Sequence, residues 1–406
     1  MSLFESASLV VTPNGTKASK LYAIKPTDGS GDLTVTRATT ARRVNSAGLI
    51  SSVAVNVPRL DYLNSTCPSV LVEPQRTNLL TYSEQFDNIS WIKLNVSITA
   101  NNGVSPDGNT NADTVIPNTN NDVHILRSNI FNQSGTTSHS WFVKANGYSK
   151  VAVRESELVG NYAAFDLSNG TLLSTNQTGS IVNYGNGWYR ITLIDTTIGL
   201  LSQSSLVILP DSYTTGNPLI NWSGDGVKGV FAYGATAEVG SYATSYIPTT
   251  TAAVTRNADV ISKTGISDLI GQTEGTIFLD YIWNNNEIDV IPIQISGNNG
   301  KIIWFRSNGI QFYGNGNSLV FNYNPSNGIY GSRYKLAFVY GQSDFRVYIN
   351  GTLVASQASG TFSGTFDNIL SDPIGVAPYN GSTKHNIITL FKTRLTNAEL
   401  AELTTL

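Results

Sequence analysis

Residues 334–354 read Tyr-Lys-Leu-Ala-Phe-Val-Tyr-Gly-Gln-Ser-Asp-Phe-Arg-Val-Tyr-Ile-Asn-Gly-Thr-Leu-Val, and this stretch decides the fold. Leu336, Phe338 and Tyr340 alternate with Lys335, Ala337 and Val339, the period-two pattern of a strand with one apolar face. Gly341 to Asp344 form a turn. Phe345, Val347 and Ile349 then alternate with Arg346, Tyr348 and Asn350. Asn350-Gly351 is the pair that a type I′ hairpin demands, because both central residues need positive φ. Thr352-Leu353-Val354 starts the return strand. Three strands joined this tightly expose an apolar face that a second sheet must cover, so the C-terminal part is expected to be a β-sandwich.

The rest of the composition suits many short strands. Charged residues are 13% of the 406-residue chain, against about 25% in an average domain. Asn, Thr, Ser and Gly fill the deficit, while 40% hydrophobic and 10% aromatic residues supply a core. A net charge of −3 with no basic stripe argues against a nucleic acid partner. Cys67 is the one cysteine, so no intrachain disulfide can form, and it is expected to be a small buried apolar residue. No apolar run approaches the ~18 residues needed to span a bilayer, so no membrane insertion is expected. Met1-Ser2-Leu3-Phe4-Glu5-Ser6 lacks the basic and apolar regions of a signal peptide, which suggests assembly in a cytoplasm without secretion.

Asn-Gly pairs such as 102–103, 146–147, 186–187, 308–309 and 350–351 punctuate alternating segments at irregular intervals, which fits hairpin corners and not a repeat array. Helical periodicity is confined to the end. Thr396-Asn397-Ala398-Glu399 is a capping box ahead of Leu400 and Leu403, and predicts a short helix docked on the sandwich edge. The chain divides into three parts on this reading. Residues 1–78 hold short strand-like pieces without an evident core. Residues 79–259 are one β-rich unit with a Thr- and Ala-rich linker at its end, and residues 260–406 are a second sandwich. The fold class is therefore all-β, with two antiparallel sandwiches, a small N-terminal β-rich region and a short C-terminal helix.

Three sets of motifs carry resemblances. Gly275-Thr276-Ile277-Phe278, the Tyr-Ile-Asn-Gly hairpin at 348–351 and Phe391-Lys392-Thr393-Arg394-Leu395-Thr396 resemble the laminin-G-like or concanavalin-like lectin sandwich. Phe86 with Trp91, the Phe-Asp-Leu-Ser-Asn-Gly turn at 165–170 and Gly187-Trp188-Tyr189-Arg190 resemble a jelly-roll of the carbohydrate-binding-module type. Asp32 to Ala38, Arg43 to Ile50, Pro58-Arg59-Leu60-Asp61-Tyr62 and Val72 to Leu79 resemble a module of tailed-phage virion proteins. So do Gly240 to Pro248 and Val254-Thr255-Arg256. The resemblance implies a fibre or spike component of a phage tail or head, attached to other virion proteins through its N-terminal region and trimeric. It implies non-covalent recognition of host cell-surface polysaccharide during adsorption. A purely structural virion connector and a polysaccharide depolymerase are the alternatives.

A depolymerase would need paired carboxylates. Glu287-Ile288-Asp289 resembles the start of the strand motif of laminarinase-like hydrolases, but Ile291-Pro292 follows and no third carboxylate stands where the acid/base belongs. No catalytic residue is assigned. His124, His139 and His385 lack the spacing of metal ligands and are expected at the surface or in packing. No cofactor is expected; Asp107-Gly108-Asn109 and Asp225-Gly226 could supply carboxylate and carbonyl oxygens to a structural Ca²⁺, and both suffice as turns without it. Aromatic side chains are the stronger lead, since sugars lay apolar C–H faces on rings while amides and carboxylates hold their hydroxyls. Trp283, Trp304, Tyr313, Tyr323 and Tyr379 are the candidate carbohydrate contacts, with Trp304 and Tyr313 on either side of one Asn-Gly corner. Trp91, Trp141 and Trp188 sit inside alternating strands and are expected in the core.

Overall fold

The computed structural model describes residues 2–132, 135–155, 160–197, 201–283, 293–296, 302–306, 309–313, 319–326, 328, 331–360, 365–371 and 381–406. Among these the chain is all-β, with antiparallel sheets, two short α-helices, Leu3–Ser6 and Asn397–Thr404, and one 3-10 turn, Ser267–Leu269.

The middle of the chain forms a sandwich of two six-stranded sheets. One runs in the order Val96–Val104, Thr110–Pro117, Gly229–Val239, Thr137–Asn146, Trp188–Asp195, Thr178–Gly185. The other runs Thr171–Thr175, Tyr162–Asp166, Lys150–Glu155, Ser204–Leu209, His124–Ser128, Trp91–Leu94. Alternate side chains from both sheets meet between them, including Trp141, Val143, Val151, Phe165, Leu193 and Ile208. Phe86 and Trp91 pack edge-to-face at 5.0 Å, and Phe86 stacks on Trp141 at 5.2 Å. Trp91, Trp141 and Trp188 are all buried, as their place in alternating strands led us to expect.

The second sandwich is a single long sheet folded over on itself. One leaf runs Leu319–Tyr323, Gly309–Tyr313, Ile302–Arg306, Ile293–Ser296, Asn368–Ser371, Val260–Thr264. The other runs Thr383–Phe391, Gly275–Trp283, Arg333–Tyr340, Phe345–Ile349, Thr352–Gln357. Phe305 meets Phe338 at 6.4 Å and Phe321 stacks on Phe345 at 5.8 Å, so the two leaves face each other across an aromatic core. The deciding hairpin has the register Leu336↔Ile349 and Phe338↔Val347, and Asn350 and Gly351 take φ of 49° and 83° as a type I′ turn requires.

The strands that join the two leaves come from the other end of the sequence. Leu33–Thr36 pairs with Val260–Thr264, Lys20–Lys25 pairs with Leu33–Thr36, and Leu9–Lys17 pairs with both Lys20–Lys25 and Thr383–Phe391. Leu9, Val11, Leu21, Leu33 and Val35 enter the same core as Phe338 and Phe305. The division at residue 78 is thus corrected: residues 1–78 are not a separate region. The strands Leu9–Lys17 and Leu33–Thr36 lack a core of their own because they complete a sheet whose next strands, Thr383–Phe391 and Val260–Thr264, lie over 200 residues away.

Two smaller expectations are also corrected. The C-terminal helix does carry its capping box, with Thr396 Oγ1 accepting from the Glu399 amide and Glu399 accepting from the Thr396 amide. It lies on a face of the sheet, however, and not on the sandwich edge. Leu395 and Leu400 pack on Phe278, Ala337, Val339 and Tyr348, the outward members of the alternation, which are apolar enough to need a cover. Cys67 is exposed: it sits in the polar loop after Asn64, its amide donating to Ser65 Oγ.

The segments that resemble a phage module meet in one buried ion network. Arg37 pairs with Asp259 at 2.8 Å. Arg59 pairs with Glu73 at 2.7 Å and bonds Asp259 through a second guanidinium nitrogen. Arg256 pairs with Glu73 at 2.7 Å. All five side chains are 5% exposed or less. Burial alone would lower the Arg59 pKa, yet Asp259 and Glu73 hold it above the ordinary value. Burial likewise pushes Glu73 up, and Arg59 and Arg256 overcome that and hold it well below the carboxylate range. Asn78 completes the joint, donating to the carbonyls of Ala235 and Ile247 and accepting from the amides of Leu80 and Ala237. These motif residues therefore tie the first strands, the middle sandwich and the start of the second sandwich together.

Candidate functional site

The strands Ile302–Arg306, Gly309–Tyr313 and Leu319–Tyr323 end one leaf of the second sandwich. Their inward residues Ile303, Phe305, Ile310, Phe312 and Phe321 fill the core. Period two then forces Trp304, Arg306, Gln311, Tyr313 and Asn322 onto the opposite face. The register places Trp304 opposite Gln311 and Gln311 opposite Asn322, so the row runs straight across three strands.

The rings of Trp304 and Tyr313 are 5.1 Å apart and inclined at 60°. Both are half-buried. The Arg306 guanidinium lies over the Trp304 ring at 4.6 Å. Tyr313 donates its hydroxyl proton to Gln311 Oε1 at 3.1 Å, and Gln311 Nε2 donates to Asn322 Oδ1 at 3.3 Å. The result is an aromatic pair flanked by two amides and a guanidinium, held in line by cross-strand bonds. Flat rings take up the apolar face of a small polar ligand, and amides with both donor and acceptor atoms take up its hydroxyls.

The other sequence candidates go elsewhere. Trp283 is only 1% exposed and packs on Tyr281 at 4.4 Å inside the core, so it is removed from the surface set. It sits on the inward face of its strand with Leu279 and Ile277, which sequence alternation over 275–283 could have shown. Tyr323 pairs with Ile310 and leans on the core, where burial raises its phenol pKa. Tyr379 lies outside the described residues, as do Glu287 and Asp289. Gln311, Asn322 and Arg306 were missed, though Arg306 and Gln311 each stand two residues from a ring and Asn322 lies directly across from Gln311.

The histidines are packing residues. His124 bonds the carbonyls of Asn95 and Trp222 at 2.7 and 3.0 Å, and His139 and His385 are buried with their pKa values pushed down to about 4 by burial. The oxygens of Asp107 are taken by Ser105, Asn109, Asn111 and Tyr233, and Asp225 accepts from the amides of Val227 and Lys228. Among the described residues no group of three His, Cys, Asp or Glu side chains could hold a metal ion. No described helix is long and apolar enough to cross a membrane.

No protein-family model and no curated protein sequence matches the chain. Partial likenesses to solved structures occur. One is a structure of botulinum neurotoxin type C, described as depending on two ganglioside molecules to reach the cell interior, with 17% identity, a TM-score of 0.30 and coverage of 36% of this chain and 39% of that one. The binding domain of botulinum neurotoxin serotype G gives 14% identity, a TM-score of 0.31 and coverage of 36% and 39%. The binding domain of Paraclostridial Mosquitocidal Protein 1 gives 12% identity, a TM-score of 0.29 and coverage of 36% and 43%. The chain thus spans well under half the length of the structures it resembles. At such scores the likeness carries no argument about ligand or role.

Proposed function

We propose that this chain recognises glycans without breaking a bond, through the ring and amide row of Trp304, Tyr313, Gln311 and Asn322. The observation that carries this reading is the placement of Trp304 and Tyr313 side by side on the face that the core does not use. Phe305, Phe312 and Phe321 already fill the interior, so the outer rings are not needed there. A shallow site of this kind binds weakly per copy, and several copies on one particle raise avidity by orders of magnitude.

The wider setting rests on the sequence resemblance. The chain is then a phage fibre or spike component, trimeric, whose ligand is a host surface polysaccharide. The buried ion network favours one rival, a purely structural connector, because it makes the joint between units rigid. Binding of the whole protein to an array of bacterial surface polysaccharides tests the first reading. Retention of at least one polysaccharide is the expected result, and silence across the array would overturn it. If particles carrying Trp304→Ala and Tyr313→Ala adsorb to cells normally, the connector takes its place.

A further inference from the structure

A cleft of about 670 Å³ opens where the middle sandwich meets the N-terminal strands and the second sandwich. Its volume lies in the range of about 300–1,000 Å³ usual for small-ligand sites. One wall is the outer face of the edge hairpin of the middle sandwich, built from the cross-strand pairs Thr178↔Ile194, Ser180↔Thr192 and Val182↔Arg190, with Tyr184 beyond them. The facing wall carries Arg42 and Arg43 from the strand Ala41–Val44.

The charges in this cleft do not all cancel. Lys384 is paired with Asp61 at 2.7 Å, and Asp61 also accepts from the Val44 amide. Glu73 is consumed by Arg59 and Arg256. Arg190 is held by Ser140 Oγ and the Thr244 carbonyl, with Phe142 under its guanidinium. Arg42 has no hydrogen-bond or ion-pair partner for its side chain among the described residues. Arg43 has one, donating to the Leu60 carbonyl at 2.6 Å, while its buried Nε has none. Guanidinium N–H groups left without an acceptor are donors open to an anionic group entering the cleft.

We infer that this cleft is a second binding site, for a sugar that bears a carboxylate. Arg42 would hold the carboxylate, since a planar guanidinium meets it with two parallel bonds, while Arg43, the next residue on the strand and bonded to the Leu60 carbonyl, adds positive charge to the same cleft. Thr178, Ser180 and Thr192 offer hydroxyls at the spacing of a strand pair, and Tyr184 offers a ring edge. The hydroxyl-rich wall is what favours an acidic sugar over an acidic peptide. No residue of the row around Trp304 lines this cleft.

The test is titration of the whole protein with N-acetylneuraminate, glucuronate and galacturonate, each alongside its methyl ester, read by calorimetry or ligand-observed NMR. At least one acid should bind, its ester about tenfold or more weaker, the equivalent of about 1.4 kcal/mol. Arg42→Ser should weaken it by a similar factor and Arg43→Gln by less, and Arg42→Lys, which keeps the charge, should lose less than Arg42→Ser. Trp304→Ala should leave this binding unchanged. The inference fails if no acid binds at millimolar concentration, if ester and acid bind alike, or if Trp304→Ala abolishes the binding. It also fails if a hexaglutamate peptide binds and the sugars do not. Unchanged thermal midpoints in the arginine variants separate a lost contact from a lost fold; if Arg42→Ser lowers the midpoint, the comparison of acid with ester on the unaltered protein decides.

Discussion

At the scale of single residues, the buried ionisable groups set the pH response. His139 and His385 have folded pKa values of about 4, below the ordinary 6.5, because burial disfavours the imidazolium. A depressed histidine leaves stability intact above pH 6.5 and erodes it as pH falls toward 4, since the unfolded chain takes up the proton first. At pH 5 the loss is about 2 kcal/mol per histidine. Urea midpoints should therefore fall between pH 7 and pH 5, and His139→Leu should flatten that slope whatever it does to absolute stability; an unchanged slope contradicts the burial argument. Glu73 acts at lower pH, its depressed pKa adding stability that disappears as pH drops below the carboxylate range. Removing one member of its network is a harsher change. Arg59→Met leaves Asp259 and Glu73 buried with fewer partners, which costs about 3–5 kcal/mol and should show in chemical denaturation.

At the scale of elements, sequence signals were strongest where local chemistry alone decides the outcome. The hairpin at Asn350-Gly351 and the box at Thr396 to Glu399 were both legible, because turn and cap geometry depend on a few adjacent residues. Thr396→Ala should lower stability by about 1 kcal/mol and fray the last helix, as measured by thermal melting and circular dichroism. Leu400→Ala, at a position with no exposure, should cost about 2–5 kcal/mol. Equal effects of the two changes would mean that the helix is held by its cap more than by its packing. The docking place of that helix was not legible, since it depends on Ala337, Val339 and Tyr348, which lie in two strands well before the helix in sequence. The ring candidates divide for a similar reason. Trp304 and Tyr313 share a face because their strands pair in one register, whereas Trp283 follows Ile277, Leu279 and Tyr281 onto the inward face of its strand.

At the scale of the whole molecule, the ends of the chain are one structure. Strands Leu9–Lys17, Lys20–Lys25 and Leu33–Thr36 bridge the two leaves of the second sandwich. A fragment of residues 260–406 should accordingly lack cooperative unfolding and expose its aromatic core, while addition of residues 1–78 in trans or by fusion should restore it. A sharp melting transition in the isolated fragment contradicts that topology. No local pattern could announce this pairing, for it joins residues at opposite ends of the sequence. The arginines and acids of the first eighty residues hinted at it only through their resemblance to a module, and their shared role is a network that forms when the chain has closed.

The six tryptophans offer the most direct measurement of the central claim. In nitrogen-15-labelled protein titrated with a polysaccharide that it retains, the indole signal of Trp304 should shift, and those of Trp91, Trp141, Trp188 and Trp283 in the cores should stay in place. Trp304→Ala should weaken the same binding about tenfold. A Trp304 signal that stays still while the polysaccharide binds, with affinity intact in Trp304→Ala, would contradict the account.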